Sequence, residues 1–420
     1  MAIVELIEQW PWLFGTGSIL WSYGWFLANV CGVSMRRGPL LGVGVALLLG
    51  IGVFWGRSFA VIRKKDVPVA CRPIETLMVL LIASTVVFAF WQTALPIYMW
   101  DSIVMYAFKA KILFTEGTFR TRAFQDSSLY HINADYPLLL SYLEASYFIL
   151  LGRVEERWIR LIFLAYWLGW LSLIYRGLRL RWPRPWSLAG VAGLATLPLF
   201  FEEFMGQATS GFADIPLAFY WTGFLLAVFG WRQSPNRTDG WRAVLFAIGC
   251  AFTKAEGGPL LAIAGIAFLV TGRGLRRRFL WLAVVIGVGL IPWYVIRLTI
   301  PHNAAHFIHW PALAWSEALN RARWIGSFGI RELANVNRWG FFWLLVVGGF
   351  VWPQRKGLDL SGSMILVCIV LLQVGLYSWV YFIYPGDLRL LLPTTLPRLL
   401  IHVIGPLALA VAWRWRTLPL

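Results

Sequence analysis

Residues 272–297 read GRGLRRRFLWLAVVIGVGLIPWYVIR, four arginines set just before an apolar run at 279–297. A hydrocarbon core of about 30 Å takes roughly 20 helical residues to cross, and this run has that reach. Arginines at its leading edge mark a cytoplasmic linker. The same alternation extends in both directions. Further apolar runs fall at about 13–33, 38–56, 75–95, 157–177, 185–200, 212–230, 241–254, 257–271, 338–352, 362–383 and 396–414. The expected fold class is therefore all-α, a polytopic transmembrane helical bundle of about 12 crossings with juxtamembrane helices in its first long outer loop.

Composition excludes an ordinary soluble domain. Hydrophobic residues make up 59% of the 420 positions and charged residues 14%, against roughly 45–50% and about 25% in soluble proteins. Mean hydropathy is +0.68. The 26 tryptophans, many near the ends of the runs, suit the aromatic belts of a membrane interface. A net charge of +17 does not point to nucleic acid, because the basic residues lie between apolar runs and form no single patch. Cys31, Cys71, Cys250 and Cys368 have neither metal-like spacing nor the density of a disulfide framework. The opening MAIVELIEQW lacks the basic region and cleavage site of a signal peptide, so it reads as mature chain.

The stretch at 137–151, PLLLSYLEASYFILL, is short and carries Glu144, so the basic linkers decide whether it crosses. If it does not, linkers 57–74, 176–184, 231–242, 272–278 and 353–360 and the tail after 413 share one side and hold 20 of the 37 Lys and Arg. If it does, RGLRLRWPRPW and GRGLRRR face away from RSFAVIRKKDVPVACR, against the positive-inside bias. The segment is therefore placed as a juxtamembrane helix, with both termini cytoplasmic in a plasma (inner) membrane. Arg36 and Arg37 then remain as the oddity, landing outside. The expected parts are 1–74, two helices and a basic linker; 75–297, a module containing outer loop 96–156; and 298–420, outer loop 298–337 with the last helices.

Acids beside apolar runs cost a few kcal/mol each on insertion scales, so they mark a function or a polar cavity. The outer side collects Asp101, Glu116, Asp126, Asp135, Glu202, Glu203, Asp214, Glu256 and Asp387. In WDSIVMYAFKAKILFTEG, Asp101 follows the third run, with Tyr106, Lys109 and Lys111 at helical distances. Such a carboxylate can take a proton from a hydroxyl while a lysine holds a phosphate; alternatively Asp101 is a helix cap and the lysines are solvated. Asp214, in SGFADIPLAFY just ahead of Pro216, carries the same two readings. Glu202 and Glu203 lie where the preceding run meets water.

Lys254 and Glu256 stand two apart before Gly257, Gly258 and Pro259. That spacing shares no helical face, so only the turn itself could bring them together, and snorkelling of Lys254 is the competing reading. His302, His306 and His309 in PHNAAHFIH recur at i, i+4 and i+7, which could bind a metal or belong to an ordinary interfacial helix. In YPGDLRLLLPTTLPRLLIH, Arg389 and Arg398 could fork onto a phosphate or anchor to lipid headgroups. His402 lies about a turn inside the last run.

Taken together this pattern resembles the GT-C superfamily of membrane glycosyltransferases, which includes the protein O-mannosyltransferases and lipid A aminoarabinose transferases. The resemblance rests on Trp100, Asp101 and Tyr106 soon after a crossing, and on Asp135-Tyr136-Pro137 before a juxtamembrane helix. It continues through the helix led by Arg160, the Asp214-Ile215-Pro216 helix start and the Lys254-Glu256-Gly257 turn, over about 96–260. Thr394, Thr395 and Arg398 give a weaker echo. The runs at 13–33 and 38–56 precede the family's expected first helix, and no large soluble domain follows the last run.

The resemblance implies catalytic roles for Asp101 and Asp214. It also implies a polyprenyl-phosphate-linked sugar donor, an active site open to the outer leaflet, and transfer to a glycan, lipid or protein acceptor. Tyr106, Lys109, Lys111, Lys254, Glu256 and Arg398 are then the candidates for holding substrate and lipid phosphate. No cofactor is firmly implied, and a divalent metal stays open. Two rivals fit the same residues: a transporter or flippase for a lipid-linked or anionic substrate, and an O-antigen ligase or polymerase acting on diphosphate-linked glycans. The absence of an internal repeat counts against the first.

Overall fold

The computed structural model describes residues 2–36, 38, 44, 73–202, 208–271, 276–301, 315–351 and 360–414. The second apolar run, at 38–56, falls almost wholly outside these residues. Outside them also lie Glu203, the linker residues 57–72 and 352–359, the tail after 414, and the three candidate histidines His302, His306 and His309.

Among the described residues the chain is helical, without a strand. Helix α1 spans Ala2–Val30 and α2 spans Pro73–Gln92. The loop that follows folds as a π-helical turn, Ser102–Ala107, continued by α3, Phe108–Glu116, and later by α4, Leu139–Leu151. The middle of the chain holds α5 Leu161–Arg179, α6 Arg184–Ala195, α7 Asp214–Gln233, α8 Arg237–Thr253, α9 Gly257–Thr271 and α10 Arg276–Arg297. The last part holds α11 Trp315–Leu333, α12 Phe342–Val351, α13 Leu360–Ile383 and α14 Leu388–Arg414.

Six of these helices, α2, α5, α7, α10, α13 and α14, are long and apolar enough to cross a membrane, and by length and composition the chain is a membrane protein. The described residues do not confirm the expectation of about 12 crossings. The run at 185–200 forms a helix too short for a bilayer: at 1.5 Å per residue, the 12 residues of α6 reach only about 18 Å. Helix α4, with 13 residues, is likewise too short, in keeping with its placement beside the membrane.

The helices alternate between two ends. Near one end Arg184 meets Glu75 at 3.5 Å, Arg242 bonds Gln9 at 2.9 Å, and Arg181 stacks on Trp413. At the other, Trp158 N–H donates to Thr93 O, Asn29 to Gly117 O, and Arg297 pairs with Asp135. The arginines of linkers 176–184, 231–242 and 276–278 gather at the first end, which we call the basic end.

Helix α7 is the axis of the bundle. Nine-tenths of its apolar window (89%) is buried, against 11% for α2 and 22% for α10, which face outward. Close packing around α7 depends on small residues, as it does between helices in lipid. A Cβ on Gly223 would stand 2.3 Å from Phe246, and one on Gly249 would stand 2.3 Å from Tyr220. Some polar groups within this core are paired: Tyr220 Oη lies 2.7 Å from Ser18 Oγ, and Trp170 Nε1 donates to Thr222 Oγ1 at 2.9 Å, while Trp221 Nε1 on α7 finds no hydrogen-bond partner among the described residues.

Because α2 and α10 run between the two ends, cysteines introduced at Asp126 and at Arg278, both exposed, are expected to label from opposite sides of the membrane. Labelling of both by one impermeant reagent added to one side would overturn this arrangement.

Candidate functional site

Asp214 is a buried carboxylate held on both oxygens. It is fully buried at the first position of α7, where an unpaired carboxylate would cost several kcal/mol. Its Oδ1 accepts from Lys254 Nζ at 2.8 Å and its Oδ2 from Arg398 Nε at 3.0 Å. Lys254 also pairs with Glu256 at 2.8 Å, and Arg398 Nη1 reaches Asp101 Oδ2 at 2.6 Å. Three carboxylates and two cations thus form one chain of contacts, Asp101, Arg398, Asp214, Lys254, Glu256, drawn from four segments.

Each segment is shaped to deliver its residue. Asp101 sits in the first turn before the π-helical stretch, where Phe108 N–H bonds Ile103 O five residues back. Such widened turns are frequent at functional sites. Ser102 Oγ donates to Ser210 O at 2.7 Å, tying the Asp101 turn to the loop before Asp214. Gly211 is required there: its φ is +88°, and a Cβ would stand 2.8 Å from Ser102 Cβ. Arg160 ties the same loop to the head of α5, donating through Nε to Thr209 O at 2.6 Å and through Nη2 to Thr209 Oγ1 at 3.1 Å.

The Lys254 turn depends on Gly257, where a Cβ would lie 2.0 Å from Cys250 O at the end of α8. The extended backbone of Lys254 breaks the helix and lets two residues spaced by two pair with each other. Arg398 follows Pro393 and Pro397 in α14, where two successive backbone donors are missing from the helix. Its guanidinium lies 3.9 Å above the Phe212 ring, which holds the plane between the two aspartates.

Neither aspartate is a helix cap: no side-chain capping bond forms at Asp101, and Asp214 spends both oxygens on cations. Lys254 is buried and paired rather than snorkelling. The two acids differ in access, with 27% of the Asp101 side chain exposed and none of Asp214. Glu256 is also partly open, and its Oε2 has no hydrogen-bond partner.

Three expected participants are placed differently. Lys111 pairs with Glu156 at 2.5 Å, part-exposed on α3. Lys109 is fully buried, donating to Asn133 O at 3.1 Å, and burial lowers its pKa to about 7. A lysine so enclosed is a weak anchor for a phosphate. Glu144, buried on α4 near it, has its pKa raised by the same loss of water. Tyr106 is buried beneath the cluster, its phenol held up by burial first and by the charge of Asp214 second. Arg389 stacks on Trp324 at 5.0 Å, outside the chain of contacts. Glu202 is gripped by Arg338 at 2.8 and 2.9 Å.

The sequence reading passed over a polar string beneath Asp214. His402 Nε2 lies 3.5 Å from Asp214 Oδ1, outside hydrogen-bonding geometry, while Nδ1 is 3.0 Å from Tyr377 Oη, to which Gln373 donates at 3.0 Å. The signal was available: a His and a Gln inside two apolar runs. Among the described residues no group of three or more His, Cys, Asp or Glu could hold a metal. A cavity of about 670 Å³ lies at the basic end, away from this cluster. The ion network, not the cavity, marks the candidate site, because buried charge is what needs a functional explanation.

No protein-family model matches the chain, and neither a curated protein nor a solved structure matches it. The site is therefore read from its own chemistry.

Removing one partner of a buried ion pair leaves the other uncompensated, at roughly 3–5 kcal/mol. Arg398→Gln is expected to lower thermal stability in detergent accordingly, and adding Asp214→Asn is expected to restore part of the loss. Additive losses in the double variant would show that the two groups do not interact.

Proposed function

We propose that this chain is an integral membrane glycosyltransferase of GT-C type, moving a sugar from a polyprenyl-phosphate donor to an acceptor hydroxyl at the outer face of the plasma membrane. The observation that carries the reading is the partly exposed Asp101 joined through Arg398 to the buried Asp214–Lys254–Glu256 network, at the end of the bundle opposite the basic linkers. A positive-inside arrangement assigns that end to the outside.

The chemistry asked of the site is a displacement at the anomeric carbon. Asp101 orients the acceptor hydroxyl and takes its proton as the new carbon–oxygen bond forms. The bond from the anomeric carbon to the phosphate oxygen breaks, and the polyprenyl phosphate departs with the electron pair. Arg398, whose planar fork already reaches toward Asp101, and Lys254 stabilise the charge on the leaving phosphate. Asp214 touches neither reactant; it is a positioning residue that fixes both cations. Glu256, whose side chain is partly exposed beside Lys254, accepts from a sugar hydroxyl. Lys109 and Lys111 have no part in this scheme, because each is engaged elsewhere.

Transfer from a lipid-linked sugar, assayed in detergent where no second compartment exists, reads chemistry and not transport. Asp101→Asn in normally folded protein is expected to reduce turnover by about 10²–10⁴-fold. Wild-type turnover in that variant would remove Asp101 as the base.

A further inference from the structure

The cavity at the basic end combines arginines with tryptophans. It opens between the turn joining α7 to α8 and the first turns of α10, and Arg237, Arg277, Arg278, Trp231, Trp241 and Trp281 line it. All three arginines are exposed, and among the described residues none of them forms an ion pair. The neighbouring acid, Asp239, is already committed, to Arg242 at 3.2 Å and to Asn236 at 2.8 Å. Three guanidiniums without an ion-pair partner among the described residues therefore converge on one concave space, and the chemistry that answers them is an anion with forked oxygens.

The cavity wall is for the most part apolar, with Val244, Leu282 and Val285 forming part of it beside the tryptophans. From it a strip of α10 runs toward the other end of the bundle: Trp281, Val284, Val288 and Ile291, exposed at 70, 62, 61 and 54%. Their spacing of three and four places them on one face of the helix. A soluble anion would have no use for that strip. A two-part ligand, with an anionic head and a hydrocarbon tail, matches both halves, and tryptophans at the junction suit the headgroup level.

We propose that this cleft is a headgroup site for an anionic phospholipid of the surrounding bilayer, the phosphate held by Arg237, Arg277 and Arg278 and one acyl chain laid along the outer face of α10. The inference is independent of the transferase reading, since the cleft lies at the end of the bundle opposite Asp101.

Native mass spectrometry of the full chain, released from nanodiscs of phosphatidylcholine containing a minor share of phosphatidylglycerol, tests it. The wild type is expected to retain phosphatidylglycerol in preference to phosphatidylcholine. Replacing all three arginines with Gln is expected to weaken that retention on the order of 100-fold, at about fivefold per arginine. Should the triple variant fail to fold, the three single Arg→Gln variants carry the test, each with a loss of about fivefold. Equal retention of the two lipids, unchanged retention in the folded triple variant or in all three single variants, or full displacement by inorganic phosphate would each overturn the proposal.

Discussion

A single guanidinium holds the site end of this protein together. Arg398, carried by α14 from near the C-terminus, bonds Asp101 and Asp214, 297 and 184 residues earlier in the chain. Asp214 is completely buried, so it persists as a charge only because Arg398 and Lys254 offset its lost hydration. That requirement draws the head of α7, the turn between α8 and α9, the proline-bearing stretch of α14 and the loop after α2 to one place. Replacing the network with apolar side chains could stabilise the helices as well or better. Its retention in so apolar a chain is the strongest argument that it serves chemistry.

The bundle supplies what the network needs. Helix α7 is enclosed on nearly all sides and makes a rigid mount for Asp214, while α2 and α10 present apolar faces outward. Separation of charge between the ends follows from the same alternation of helices: carboxylates at the ends near residues 101, 214 and 256, and arginines in the linkers near 180, 237 and 277. The two proposals then place anion chemistry at separate locations: transient phosphate at the site end and a lipid headgroup at the other.

Much of this was legible in the sequence. Apolar runs located most helices to within a few residues, and the basic linkers gave the two ends. Asp101, Asp214, Lys254, Glu256 and Arg398 were all singled out from their positions beside those runs, and the structure brings these five together. Hydropathy could not separate a crossing from a short helix, so the run at 185–200 was counted as a span although α6 is too short. Lys109 and Lys111 were grouped with Asp101 by helical spacing. Spacing says nothing about burial, and α3 turns Lys109 inward and Lys111 toward Glu156. His402, Tyr377 and Gln373 went unassigned because each is isolated in its own apolar run and acquires meaning only when α13 packs on α14.

The central claim is that the Asp101–Arg398–Asp214 network handles a lipid-phosphate sugar. Mass spectrometry of the lipids that copurify with the protein tests it most directly. The expected result is a polyprenyl phosphate bearing one sugar, enriched over the membrane it came from and lost on substitution of Arg398 in protein that still folds. Copurified lipid with no polyprenyl species, or a polyprenyl phosphate retained equally without Arg398, would contradict the account.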